Sequence, residues 1–285
     1  LKNLKTIPFY TIMKTKFRKD GLAMRRIIPE WCGLCVVMVL MLLNPIFAEE
    51  IASSVLNPVF TAIEKTLSEK KTPILVFDLD GTLFDTAQRQ VRILREWAKE
   101  NSSNPDAKLL ENVTEKDTDY GIGSIAVKLG VKNEASLASI FNFWFKRFFT
   151  NEYAAIDAPI PGGQTFIKKC VEKGALIVYL TGRDIPQMGK GTQESLVKNG
   201  FPLDGKIAQL LLKPERHVDD HEFKKDACAT IGKLGSVVGI FENQPRNLNA
   251  LAKAFPEAVT VFIETNYDPR DTETPSEKAI RIKNY

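Results

Sequence analysis

The sequence predicts an α/β protein: a Rossmann-like parallel sheet with an α-helical subdomain inserted after its first strand. Three observations carry this. Five continuous apolar runs have the length of buried strands: ILVFD (74–78), ALIVYLT (175–181), AQLLLK (208–213), SVVGIF (236–241) and VTVFI (259–263). Helical patterns separate the last four, and strands alternating with helices pack as a parallel sheet covered on both faces. Between the first two runs lie about 90 residues, most of them helical in pattern.

Taken in order, residues 1–48 have the layout of an export signal. Basic residues end at Arg25 and Arg26, thirteen uncharged positions follow (31–43), and Ala48 precedes Glu49. The run is shorter than the ~20 apolar residues a spanning helix needs. The expectation is therefore a cleaved signal and an exported, periplasmic or secreted protein. The alternative is a membrane-anchored one that keeps this segment. Residues 49–71 read as a helix with Ile51, Val55, Val59, Ile63 and Leu67 on one side, ended by Pro73. The core is expected over 49–86 and 160–267, and the inserted helical subdomain over 87–159. In the insertion, Val91, Leu94 and Trp97 form one stripe, and Ile122, Ile125, Ala126 and Leu129 a second. Leu137, Ile140, Phe141, Trp144, Phe145 and Phe148 form a third, read as core packing. The segments 164–174, 223–235 and 248–255 are helical. The polar tail 268–285 is expected to wrap the surface.

The formal charge of +4 over 285 residues is misleading. Eight Lys/Arg and two acids fall in the first 48 residues, leaving 31 basic against 33 acidic residues in the rest. No broad nucleic-acid surface follows, and no nucleic-acid polymer is expected as a partner. Cys32 and Cys35 are spaced C-x-x-C but lie in the apolar export run, without the strand–helix context of a redox motif. Cys170 and Cys228 are open to either reading, a disulfide in an exported protein or two buried thiols.

The strongest chemical signal is VFDLDGTLFDT, residues 76–86. A strand ends on Asp78, and Asp80 can emerge on the same side two residues later. Gly81 lets the chain turn away. Paired carboxylates at the carboxyl end of a parallel strand sit where open α/β sheets bind ligands. They can hold a hard cation, or divide nucleophilic attack and proton transfer between them. HVDDH (217–221) could suggest a metal, but Asp219 or Asp220 as the cap of the following helix is the simpler reading. MGKGT (188–192) lacks the glycine spacing of a phosphate loop and reads as a turn entering a helix. Arg89, Arg92 and Arg183 are placed either to hold a substrate or to be ordinary paired residues.

DLDGT after an apolar strand resembles the first motif of the haloacid dehalogenase superfamily, and counterparts of its other motifs follow in order across 74–263. VYLTGRD (178–184) resembles the second; the resemblance implies that Thr181 and the Gly182 amide bind phosphate. Lys224, in EFKK, is similar to the third-motif lysine, with Lys225 and Lys213 as competitors. GIFENQPRN (239–247) stands at the fourth motif, with Glu242 and Asn243 where many relatives carry Asp. The resemblance implies sheet order 5-4-1-2-3 and an active site between the core and a helical cap. Because the second Asp is present, it also implies phosphoryl transfer rather than dehalogenation. The function so implied is a Mg²⁺-dependent phosphatase acting on a small phosphate monoester through an aspartyl-phosphate on Asp78. Asp80 would move the proton, and Asp78, Asp80, Glu242 and Asn243 would hold the metal. The departure at Glu242-Asn243 keeps open a catalytically weak protein that binds a phosphorylated ligand. The uncleaved segment keeps open a membrane-tethered phosphatase.

Overall fold

The computed structural model describes residues 55–285. The segment read as an export signal, with Cys32 and Cys35, lies outside the described residues. Helix α1 (Asn57–Ser68) buries Val59 and Ile63 and leads into β1 (Pro73–Phe77), buried at every position. The other central strands are β4 (Leu176–Asp184), β5 (Ala208–Lys213), β6 (Ser236–Glu242) and β7 (Val259–Ile263). With β8 (Ile280–Ile282) they form one parallel sheet, ordered β5-β4-β1-β6-β7-β8. Across its first five strands this is the expected 5-4-1-2-3 order.

Strand alternation sends Leu75 and Phe77 to one face and Ile74 and Val76 to the other. The first face packs on α1, on α7 (Gly163–Glu172) and on the end of α8 (Ile185–Lys198). The second packs on α9 (Asp220–Gly232) and α10 (Pro245–Ala254). Cys170 is buried on α7 and Cys228 half-buried on α9; both are free thiols.

The tail does more than wrap the surface. Ile280–Ile282 form β8, a sixth parallel strand beside β7. Beyond it Tyr285 turns inward, stacks among Phe77, Phe166 and Phe241, and donates its hydroxyl to the Thr82 carbonyl at 3.1 Å. An apolar pocket under the first-motif loop and a free carbonyl within reach account for this.

Between β2 (Phe84–Asp85) and β3 (Ala158–Pro159), which pair antiparallel, the chain is helical. The segment holds α2 (Ala87–Glu100), α3 (Ala107–Leu110), α4 (Ile122–Lys128), α5 (Glu134–Phe145) and α6 (Asn151–Ala154). Helices α2 to α5 share their own core, including Leu94, Trp97, Leu110, Ile125 and Ile140, whereas α6 packs on α8. The third aromatic stripe keeps its reading as core only in part: Ile140 is buried and Leu137 and Trp144 pack against the same core, whereas Phe141 and Phe145 are 50% and 46% exposed.

MGKGT is not a turn; it lies inside α8, capped by Asp184 through the Gln187 amide. Gly191 is there for close approach, since a Cβ would stand 2.1 Å from the Asn151 carbonyl oxygen of α6. Gly→Ala in a helix interior ordinarily stabilises by up to ~1 kcal/mol. Gly191→Ala is expected to do the reverse, costing about 1–3 kcal/mol as α6 and α8 are forced apart. Thermal unfolding reads the sign, and a raised Tm would contradict the close packing.

Candidate active site

The carboxyl ends of β1, β4 and β6 meet at one edge of the sheet, where open α/β sheets present ligand sites. Asp78 follows β1 directly, its amide still bonded to the Phe241 carbonyl of β6. The chain then reverses through Gly81, at φ +78°, where a Cβ would collide with the Asn243 carboxamide. On β4 the pairing with β5 skips Gly182 and Arg183, a bulge at the strand's end. Asp78, Asp80, Thr181, Gly182, Lys224, Glu242 and Asn243 all line one cavity of about 1170 Å³. The sequence-derived site residues are therefore gathered in one place.

Lys224 reaches this edge from the second turn of α9, whose N-cap is Asp219, bonded to the His221 and Glu222 amides. Its ammonium lies 2.7 Å from Asp78 Oδ1 and 2.7 Å from Glu242 Oε2. Burial opposes that charge, yet Asp78 and Glu242 outweigh it and raise the Lys224 pKa. The competing lysines are engaged elsewhere, Lys213 with Asp220 at 2.5 Å and Lys225 with Glu222. Burial raises Asp78, against the pull of Lys224. Burial, helped by the charge on Asp78, lifts Glu242 to about 7. Glu242 Oε1 also accepts from the amides of Asn243 and Gln244, at 3.1 and 3.0 Å.

Asp80 sits in a second network that the sequence did not reveal. Arg183 Nε is 3.2 Å from each of its carboxylate oxygens, and Arg89 Nη2 is 3.3 Å from Oδ1. Burial would raise Asp80, but the charges of Arg183 and Arg89 prevail and hold it at about 2. Asp157 joins the two arginines from behind: Arg89 Nε donates to Oδ1 at 2.9 Å and Arg183 Nη2 to Oδ2 at 2.6 Å. Arg89, Asp157 and Arg183 are each at most 3% exposed. Asp157 precedes β3, and Arg89 lies in the first turn of α2, so the network ties both hinges of the helical insertion to Asp80. One signal pointed to it: Asp157 is the lone charge in YAAIDAPIPGGQTFI, residues 153–167. Arg92 instead pairs with Glu96 and Glu152 at the surface.

A metal can be judged by charge and donor type. With every group ionised, Lys224, Arg183 and Arg89 leave one of the four charges on Asp78, Asp80, Asp157 and Glu242 unmatched. A phosphate dianion entering this site needs a further cation. Asp78, Glu242 and Asn243 offer only oxygen on the acceptor side, as a hard divalent ion prefers. No cluster of three or more His, Cys, Asp or Glu arranged for a metal occurs among the described residues. A shell built here would therefore draw on neutral oxygen as well. HVDDH supplies no such cluster either; its Asp219 caps α9 and its His221 bonds Asn247 through Nδ1, so the helix-cap reading of this segment holds.

No family model matches the chain, and no curated protein does. Solved structures are similar to it. Protein tyrosine kinase A of Mycobacterium tuberculosis matches at 15% identity with a TM-score of 0.48, over 74% of this chain and 93% of that one. A haloacid dehalogenase-like family hydrolase of Streptococcus pneumoniae matches at 11% and 0.43, over 70% and 87%. A class C acid phosphatase of Bacillus anthracis, with tungstate bound, matches at 18% and 0.36, over 68% and 63%. Such likenesses concern the course of the chain; the chemistry rests on the residues above.

Proposed function

We propose that this chain is a Mg²⁺-dependent phosphatase acting on a small phosphate monoester. The observation that carries the reading is Asp78, buried at the sheet edge beside Lys224 and opening with Thr181 and Gly182 into one cavity. A carboxylate nucleophile, an ammonium, a hydroxyl and an exposed amide are what phosphoryl transfer asks of a protein. An Asp78 oxygen attacks phosphorus, the ester P–O bond breaks, and the leaving oxygen takes a proton from Asp80. Water then attacks the aspartyl-phosphate, giving its proton to Asp80, and the Asp78–phosphorus bond breaks to release phosphate. Arg183 and Arg89 favour the ionised Asp80 that the second half needs. Proton delivery in the first half requires their grip to loosen as the anionic substrate enters. Asp78, Asp80 and Asn243 would hold Mg²⁺, with Glu242 helping directly or through water, and the ion would supply charge neutralisation for the phosphate. Phosphate release from a panel of monoesters, with and without Mg²⁺ after chelation, tests the reading. Release from none of them would overturn it.

A second reading is a protein that binds a phosphorylated ligand without turnover. What favours it is that both Glu242 oxygens are already engaged by protein donors. Glu242→Ala separates the two. In a phosphatase it should raise the Mg²⁺ needed for half-maximal activity by about tenfold, the loss of one charged hydrogen-bonding group. A titration superimposable on wild type would remove Glu242 from the metal site.

A further inference from the structure

The cavity has a second wall that the chemistry above does not use. It starts at the catalytic carboxylates: Arg89, 3.3 Å from Asp80, lies with its guanidinium 4.3 Å over the ring of Phe148. From Phe148 the rings continue to Trp144 at 4.9 Å and Phe149 at 5.0 Å, and from Phe149 to Phe145 at 6.0 Å. At the far end Arg216, from the loop after β5, lies 3.9 Å over Phe145 and 4.5 Å over Phe149. All of these except Arg89 line the cavity.

Two facts set this wall apart from ordinary packing. Phe145 is nearly half exposed, so the cluster, backed by the helical core through Trp144, stays open at its far end. And three polar atoms on cavity-lining residues have no hydrogen-bond partner among the described residues: Trp144 Nε1, Arg216 Nη2 and Gln90 Oε1. Gln90 is only 5% exposed, and its amide nitrogen is already committed to the Asp119 carbonyl at 3.0 Å. Buried polar atoms left unpaired cost roughly 1–3 kcal/mol each, so they are rare outside sites completed by something else.

We propose that the cavity takes a phosphate monoester whose leaving group carries a flat ring, stacked on Trp144, Phe145, Phe148 and Phe149. This rests on the phosphatase reading and names its substrate class. Aromatic faces and a flanking guanidinium favour a planar π-system over an alkyl chain. The volume, about 1170 Å³, exceeds what a three-carbon phosphate fills and accommodates a nucleoside-sized group. The ring is either a nucleobase or a simple aryl group; stacking is common to both.

Adenosine 5′-monophosphate, phenyl phosphate and ribose 5-phosphate test it, by kcat/KM and by equilibrium dialysis on Asp78→Asn protein, which holds substrate without consuming it. Both ring-bearing esters should bind about tenfold more tightly than ribose 5-phosphate. Adenosine 5′-monophosphate above phenyl phosphate marks a nucleobase with a read edge, and the reverse marks a plain aryl group. Phe145→Ala removes a half-exposed ring without opening the core. It should cut the ring-to-ribose ratio about tenfold with Tm unchanged. Ribose 5-phosphate bound as tightly as the ring-bearing esters, or a ratio unmoved by Phe145→Ala, overturns the proposal. If no ester is hydrolysed, the phosphatase reading fails, and the dialysis alone decides whether the ring site stands.

Discussion

Asp78→Asn is expected to abolish turnover and leave the fold intact. The amide keeps the shape of the carboxylate but cannot attack phosphorus, and losing an enzyme nucleophile costs on the order of 10⁴–10⁶ in rate. The structure also argues that stability survives. Asp78 and Glu242 both converge on Lys224; burial disfavours ionising either, and the charge on Asp78 further raises Glu242. Removing one charge relieves that repulsion and leaves Lys224 paired with Glu242. Phosphate release beside a thermal melt gives both answers. Turnover within tenfold of wild type would take Asp78 out of the mechanism, and a collapse in Tm would make the lost activity uninformative.

What the sequence made legible follows from how far each signal reaches. Buried parallel strands are apolar at most positions, so all five long strands stand out as runs. The site residues on them are fixed by spacing of a few residues around a strand end. The strand Ile280–Ile282 escapes because three residues, Ile-Arg-Ile, acquire strand character only from the edge they join. Periodicity showed that Phe141, Trp144, Phe145 and Phe148 share a helix face, but a period does not say what covers that face. Gly191 looked like a turn signal because a close approach to another helix leaves no trace in the local sequence. The partners of Asp157 were invisible for the same reason. They are 68 and 26 residues away, and a lone acid in an apolar stretch hints at burial without naming the cation it meets.

Asp157 carries the other large expected effect. It touches no reacting atom and acts through Arg89 and Arg183, holding both guanidinium groups against Asp80. In Asp157→Ala two buried cations would share one carboxylate, and breaking a buried ion pair from one side costs about 3–5 kcal/mol. At roughly 2–4 °C per kcal/mol for a unit of this size, Tm should fall by about 10 °C. A structural loss alone would stop there. If the network also orients Asp80, kcat should drop by about 10²-fold in the fraction that remains folded, the scale of a misplacement near 1 Å, with KM little changed. The double variant Asp157→Ala with Arg89→Met removes one orphaned charge with its partner. It should recover part of the lost Tm, giving a coupling well outside additivity. The kcat should stay low, because Arg89 also contacts Asp80. An Asp157→Ala melt equal to wild type would show that the two arginines need no counter-ion there. A normal kcat at reduced Tm would confine Asp157 to holding the hinges of the helical insertion together.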